Sequence, residues 1–125
     1  MSPVFVYTGI RVRDIDRSLK FYTEVLGLKL KSRIAIPGTG GEVVELADET
    51  GNELELNYYP EGSKFHREYA AGEELDHLAF KVADAAKFIA YAESKGYPVK
   101  LKVESESSSW SYIVDPDGIY IEIIE

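Results

Sequence analysis

Four side chains that can hold or move a proton stand at matched places in this 125-residue chain. Tyr7 opens the phrase "YTGIRVRD" (7–14) and His77 opens "HLAFKVAD" (77–84); laid over one another, the phrases place Val12 on Val82 and Asp14 on Asp84. Glu55 and Glu122 each interrupt an apolar run, "LELNY" and "IYIEII", and coincide when Gly51 is set on Gly118. Phenol, imidazole and carboxylate are the groups that donate hydrogen bonds and carry protons in catalytic sites. The offset between the copies falls from 70 to 67 residues along the chain, as a short loop deletion would leave it. The four groups converge only if the two copies pack symmetrically; otherwise they are scattered charges on a solvated face.

The elements that must carry them repeat as well. "DIDRSLKFYTEVLG" (14–27) predicts a helix with Ile15, Leu19, Tyr22 and Leu26 on one stripe, an aspartate at its start and Gly27 at its end. "DAAKFIAYAESKG" (84–96) predicts a second, capped by Asp84, with Ala85, Phe88, Ile89 and Ala92 as the stripe and Gly96 as the stop. Each helix gives way to three β-rich stretches: "LKLKSRIAI", "GEVVELAD" and "GNELELNYY", then "PVKLKVES", "SSWSYIVD" and "DGIYIEIIE". Each half therefore reads strand, helix, strand, strand, strand.

Alternation along the strands assigns Ile10, Val12, Leu54, Leu56, Leu78, Phe80, Ile119, Ile121 and Ile123 to covered faces. Tyr7, Arg11, Glu55, His77, Lys81 and Glu122 fall on the opposite faces. The whole of 1–125 reads as one domain: a first module at 1–59, a polar linker at 60–73 and a second module at 74–125. His66, in the linker phrase "KFHREY", reads as a surface residue. "PGTGGE" (37–42) lacks the Lys-Ser/Thr of a phosphate loop and reads as a hairpin turn, as do "SESSS" (105–109) and "DPDG" (115–118).

Composition narrows the class of partner. A net charge of −8 argues against nucleic acid and anionic membranes, which need clustered Lys and Arg. With no cysteine there are no disulfides and no thiolate ligands, which suits a cytoplasmic protein. "MSPVFVYTG" has neither a basic region nor a long apolar stretch, so no secretory signal is expected. The partners left are a small molecule and a second copy of the chain.

Taken together, "YTGIRVRDIDRSLKFYTEVLGLKL", "LDHLAFKVAD" and "DPDGIYIEIIE" resemble the vicinal oxygen chelate superfamily (glyoxalase, bleomycin resistance, dioxygenase), and within it most of all glyoxalase I, lactoylglutathione lyase. The resemblance covers essentially the whole chain. It implies an α+β fold of two tandem βαβββ modules, whose curved mixed sheets form a trough and pair in a homodimer. It also implies one divalent metal per site, Ni, Zn, Mn, Co or Fe, at positions that fall on Tyr7, Glu55, His77 and Glu122. Tyr7 stands where relatives carry histidine or glutamine, which leaves Glu55, His77 and Glu122 as the ligands and Tyr7 as a substrate-facing hydrogen-bond donor. Three protein ligands with open positions suffice for catalysis.

The implied reaction moves a proton through an ene-diolate on a 2-oxoaldehyde–thiol adduct. Glu122 is the implied base, and Glu55 the second catalytic carboxylate or a ligand only. Arg11 matches an arginine that grips a glutathione carboxylate. Tyr59 stands where glutathione users have asparagine, and Glu73 where the eukaryotic form has arginine, so the thiol is left open. Two alternatives share the scaffold: a metal-free binder of bleomycin-resistance type, lined by Tyr58, Tyr59, Trp110 and Tyr112, and an isomerase similar to methylmalonyl-CoA epimerase. Extradiol dioxygenases and fosfomycin-resistance transferases want the histidine that Tyr7 replaces.

Overall fold

Each half of the repeat folds into its own four-stranded mixed sheet with the same strand order and the same pairing sense. The computed structural model describes residues 2–104 and 109–125, in two compact units, Met1–Glu68 and Tyr69–Glu125. The first unit contains β1 (Tyr7–Arg11), α1 (Ile15–Lys20), a π-helical turn (Phe21–Val25), β2 (Lys29–Ile36), β3 (Gly41–Ala47) and β4 (Glu53–Tyr58). The second contains β5 (His77–Lys81), α2 (Ala85–Ser94), β6 (Leu101–Glu104), β7 (Ser109–Val114) and β8 (Tyr120–Ile124). The sheets run β1-β4-β3-β2 and β5-β8-β7-β6, with the first and last strands of each unit parallel and the remaining pairs antiparallel. This is the α+β architecture that the repeat predicts.

Both helices begin as their sequences require. Asp14 and Asp84 hold extended backbone and accept the amide N–H of Arg17 and Lys87, each at 3.0 Å. These are side-chain N-caps on first-turn amides.

The body of the first helix departs from the predicted stripe. Its buried residues are Ile15, Ser18, Phe21, Tyr22 and Val25, whereas Leu19 and Leu26 are only half-buried. The cause is the π turn, closed by Leu26 N–H on the Phe21 carbonyl at 3.3 Å. A wider turn lets the adjacent Phe21 and Tyr22 both point inward, where their rings meet edge-on at 5.0 Å.

In the first sheet Ile10, Val12, Leu54 and Leu56 are buried, as alternation requires. In the second, Ile119, Ile121 and Ile123 are buried, but Leu78, Phe80 and Val82 reach only half burial. The cover differs in size. α2 buries only Ala92 fully and presents Ala85, Phe88 and Ile89 half-buried, against the aromatic pair of the first helix. The sixth strand is also shorter than predicted, because Pro98–Lys100 precede it as coil.

Turns fall where glycine and aspartate place them. Residues 37–40 join β2 to β3, and 115–119 join β7 to β8. There Asp115 accepts the amides of Asp117 and Ile119, both at 2.8 Å. Gly118 has φ of 96°, and a Cβ on it would lie 2.5 Å from that of Ala71, so no other residue fits the turn that leads into β8. "SESSS" lies, apart from Ser109, outside the described residues.

Candidate functional site

In the second unit the parallel register sets His77 beside Tyr120 and Ala79 beside Glu122, while β7 sets Tyr112 beside Glu122. Period-two alternation then puts His77, Tyr112, Tyr120 and Glu122 on one face. His77 Nε2 lies 3.8 Å from Glu122 Oε2, with the side chains 40% and 20% exposed. The other ring nitrogen, Nδ1, is 2.7 Å from Asp76 Oδ1. The Tyr112 hydroxyl donates to Glu122 Oε1 at 3.4 Å, long for such a bond. The Tyr112 ring stands edge-on to both His77, at 5.9 Å, and Tyr120, at 5.8 Å.

The first unit carries the matching face with different chemistry. Tyr7 pairs with Glu53, Gly9 with Glu55 and Arg11 with Asn57; on the other side of β4, Glu45 pairs with Glu55. Tyr7 is 48% exposed. The Glu53 carboxylate takes an ion pair from Lys31, which raises the lysine pKa through that hydrogen bond and charge. A Cβ on Gly9 would sit 3.2 Å from Asn57 Nδ2 and 3.9 Å from Glu55 Oε1. The missing side chain thus leaves space above β1 for the Glu55 carboxylate.

Arg11 and Tyr59 meet, the guanidinium carbon 4.8 Å from the ring centre. Arg11 also donates to the Phe65 carbonyl, and the Phe65 ring tilts against Tyr59 at 5.7 Å. Next along, His66 is fixed by the Tyr59 carbonyl at 3.0 Å and the Glu68 carboxylate at 2.8 Å, which raise its pKa, Glu68 most. His66 is thus tied to its own segment and is not part of the strand face. Glu73 accepts the Ala70 amide at 2.8 Å, a local turn.

The donor set can be tested against a metal ion. Ligands about 2.0–2.2 Å from one ion stand roughly 3–4 Å from each other, and the His77–Glu122 separation of 3.8 Å falls in that range. A carboxylate on the far nitrogen is the usual support for a metal-binding histidine. Two donors of the second unit therefore fit. Among the described residues no group of three or more His, Cys, Asp or Glu side chains is arranged to hold a metal. Glu55 stands in the first unit.

Sequence reasoning missed Asp76, Gly9 and Phe65. An acid directly before a histidine at a strand start was a readable signal for the first; the other two depend on register and on how the linker folds back.

Comparison with known proteins places the chain. Residues 4–123 match the family model described as the Glyoxalase/Bleomycin resistance protein/Dioxygenase superfamily. The chain belongs to that superfamily. It is similar to a lactoylglutathione lyase of Schizosaccharomyces pombe, 34% identical over 139 residues, spanning 94% of this chain and 46% of the relative. A lactoylglutathione lyase of Salmonella typhimurium is 33% identical over 132 residues, spanning 96% of this chain and 90% of the relative. Among solved structures, the trypanothione-dependent glyoxalase I of Leishmania major superposes with a TM-score of 0.77 at 34% identity, covering 99% of this chain and 87% of that one. The chain spans about half the length of the Schizosaccharomyces relative, and most of the length of the Salmonella relative and of the Leishmania structure. Superfamily membership agrees with the two like-ordered sheets and the repeated register.

Among the described residues, no helix is long and apolar enough to cross a membrane.

Proposed function

We propose that this protein is a lactoylglutathione lyase-like enzyme: a metal-dependent lyase that shifts a proton between adjacent carbons of a 2-oxoaldehyde–thiol adduct. The observation that carries this reading is the His77–Glu122 pair at 3.8 Å with the far imidazole nitrogen held by Asp76. His77 and Glu122 are proposed as ligands of one divalent ion (Ni, Zn, Mn, Co or Fe), with Glu55 as the third. When bound, such an ion supplies Lewis-acid polarisation of two neighbouring substrate oxygens.

The chain's own groups do the rest. Glu122 takes the proton from one carbon and returns it to the next, with Tyr112 holding its other oxygen; Glu55 is the second carboxylate for that role. Tyr7 donates a hydrogen bond to substrate, and Arg11, backed by Tyr59, receives an anionic end of the thiol. The Leishmania relative is named for trypanothione, and with Tyr59 and Glu73 at their places a thiol other than glutathione is equally in scope here. The site works in a homodimer, and the cysteine-free composition suits the cytoplasm.

The test is reconstitution with Ni²⁺, Zn²⁺, Mn²⁺, Co²⁺ or Fe²⁺, followed by assay of methylglyoxal adducts of several thiols for thioester formation. Turnover that needs the metal and is lost in Glu122→Gln supports the reading; no turnover with any metal and thiol contradicts it.

A second reading, a metal-free small-molecule binder, is favoured by one specific observation: the edge-on His77–Tyr112–Tyr120 aromatic cluster on the second unit's sheet face. A binder would hold its ligand undiminished after chelation.

A further inference from the structure

We propose that Asp76 is a positioning residue, holding His77 in the tautomer that turns the Nε2 lone pair toward Glu122. The use of that lone pair rests on the metal reading above; the tautomer itself does not.

The argument is one of donors and acceptors. His77 Nδ1 lies 2.7 Å from Asp76 Oδ1, a charge-assisted distance. An ionised carboxylate only accepts, so in the neutral imidazole the single N–H must sit on Nδ1. Nε2 then carries a lone pair facing a second acceptor, Glu122 Oε2, at 3.8 Å. Were Nε2 protonated instead, it would be expected to close on that oxygen as a hydrogen bond of about 2.7–3.2 Å. Two facing acceptors call for a cation or a proton between them, and Asp76 creates that situation.

Two neighbours bound the ring. The register of β5 on β8 fixes the His77 backbone against Tyr120, and the Tyr112 ring stands across the imidazole at 82°. Asp76 is 98% exposed, so its remaining oxygen surface stays hydrated and the contact orients the ring with little desolvation. The first unit has no counterpart: Val6 precedes Tyr7, and a phenol has no tautomer to set.

The experiment has two readouts on the 125-residue chain. First, ¹⁵N spectra of the metal-free protein, at a pH where the imidazole is neutral, report which nitrogen of His77 carries hydrogen. The wild type is expected to show Nδ1–H and Asp76→Ala mainly Nε2–H, while Asp76→Asn, whose amide oxygen still accepts, keeps much of the Nδ1–H form. Second, calorimetric titration with Zn²⁺ is expected to show Asp76→Ala binding about 10–100-fold more weakly, with a smaller loss in Asp76→Asn. A wild type already in the Nε2–H form, or an unchanged tautomer in Asp76→Ala, overturns the proposal. A tautomer shift without any change in Zn²⁺ affinity overturns its use in metal binding. If the tautomer shifts as expected but the wild type binds no metal, the positioning role stands and the metal reading fails.

Discussion

The two modules share strand order, register and helix caps, yet they have specialised in opposite directions. The first has the more fully buried interior: Phe21 and Tyr22, in a π turn, close it, and its sheet face is tied down by Lys31–Glu53 and Arg11–Tyr59. The second has a less fully buried interior, with Phe88 and Ile89 half-buried, but gathers an imidazole and a carboxylate within 3.8 Å. At the place equivalent to His77 the first module has Tyr7, half-exposed beside an acid already paired to lysine. Duplication therefore conserves the geometry of a site, because register fixes which positions face each other, while leaving the chemistry at each position free to change.

The largest effects should separate the two halves most clearly. Glu122→Gln, which removes a proposed ligand as well as the proton carrier, is expected to lower kcat by at least the roughly 10²–10⁴-fold that losing a positioned proton carrier costs, while Tyr7→Phe stays within about tenfold. Steady-state kinetics on the reconstituted enzyme checks this, and equal losses would erase the proposed asymmetry. Packing should show the reverse order. Tyr22→Ala in the first module is expected to cost about 3–5 kcal/mol in urea unfolding, and Phe88→Ala, half-buried in the second, well below that.

A smaller effect concerns the segment that backs Arg11. Glu68 and the Tyr59 carbonyl raise the His66 pKa, so His66 favours the folded state fully below its unfolded value near about 6.5. That contribution is lost as pH rises through the folded value. The stability difference between wild type and His66→Gln should therefore shrink on going from about pH 6 to about pH 8, and a difference that grows would reverse the assignment.

Much of this was legible in the chain, for reasons tied to particular residues. Val12 on Val82 and Asp14 on Asp84 announced the duplicated modules, and the glutamates inside "LELNY" and "IYIEII" gave the polar faces. The exact register was not readable. Alternation alone puts Tyr7 and Glu55 on one face, but only the paired backbone shows Gly9, not Tyr7, directly across from Glu55. The π turn was invisible too, since a uniform 3.6-residue period assigned Leu19 and Leu26 to a stripe that Ser18, Phe21 and Val25 occupy. Nor could a pattern of apolar residues say that the alanines of α2 would cover their sheet less completely than Phe21 and Tyr22 cover theirs.

The central claim is that the second module's His77 and Glu122 hold a divalent metal although Tyr7 has replaced a ligand in the first. Elemental analysis after reconstitution and desalting tests it directly. Near-stoichiometric metal in the wild type and in Tyr7→Phe, lost in His77→Gln and in Glu122→Gln, is the predicted result. No metal under any condition, or loading that survives His77→Gln, would contradict it.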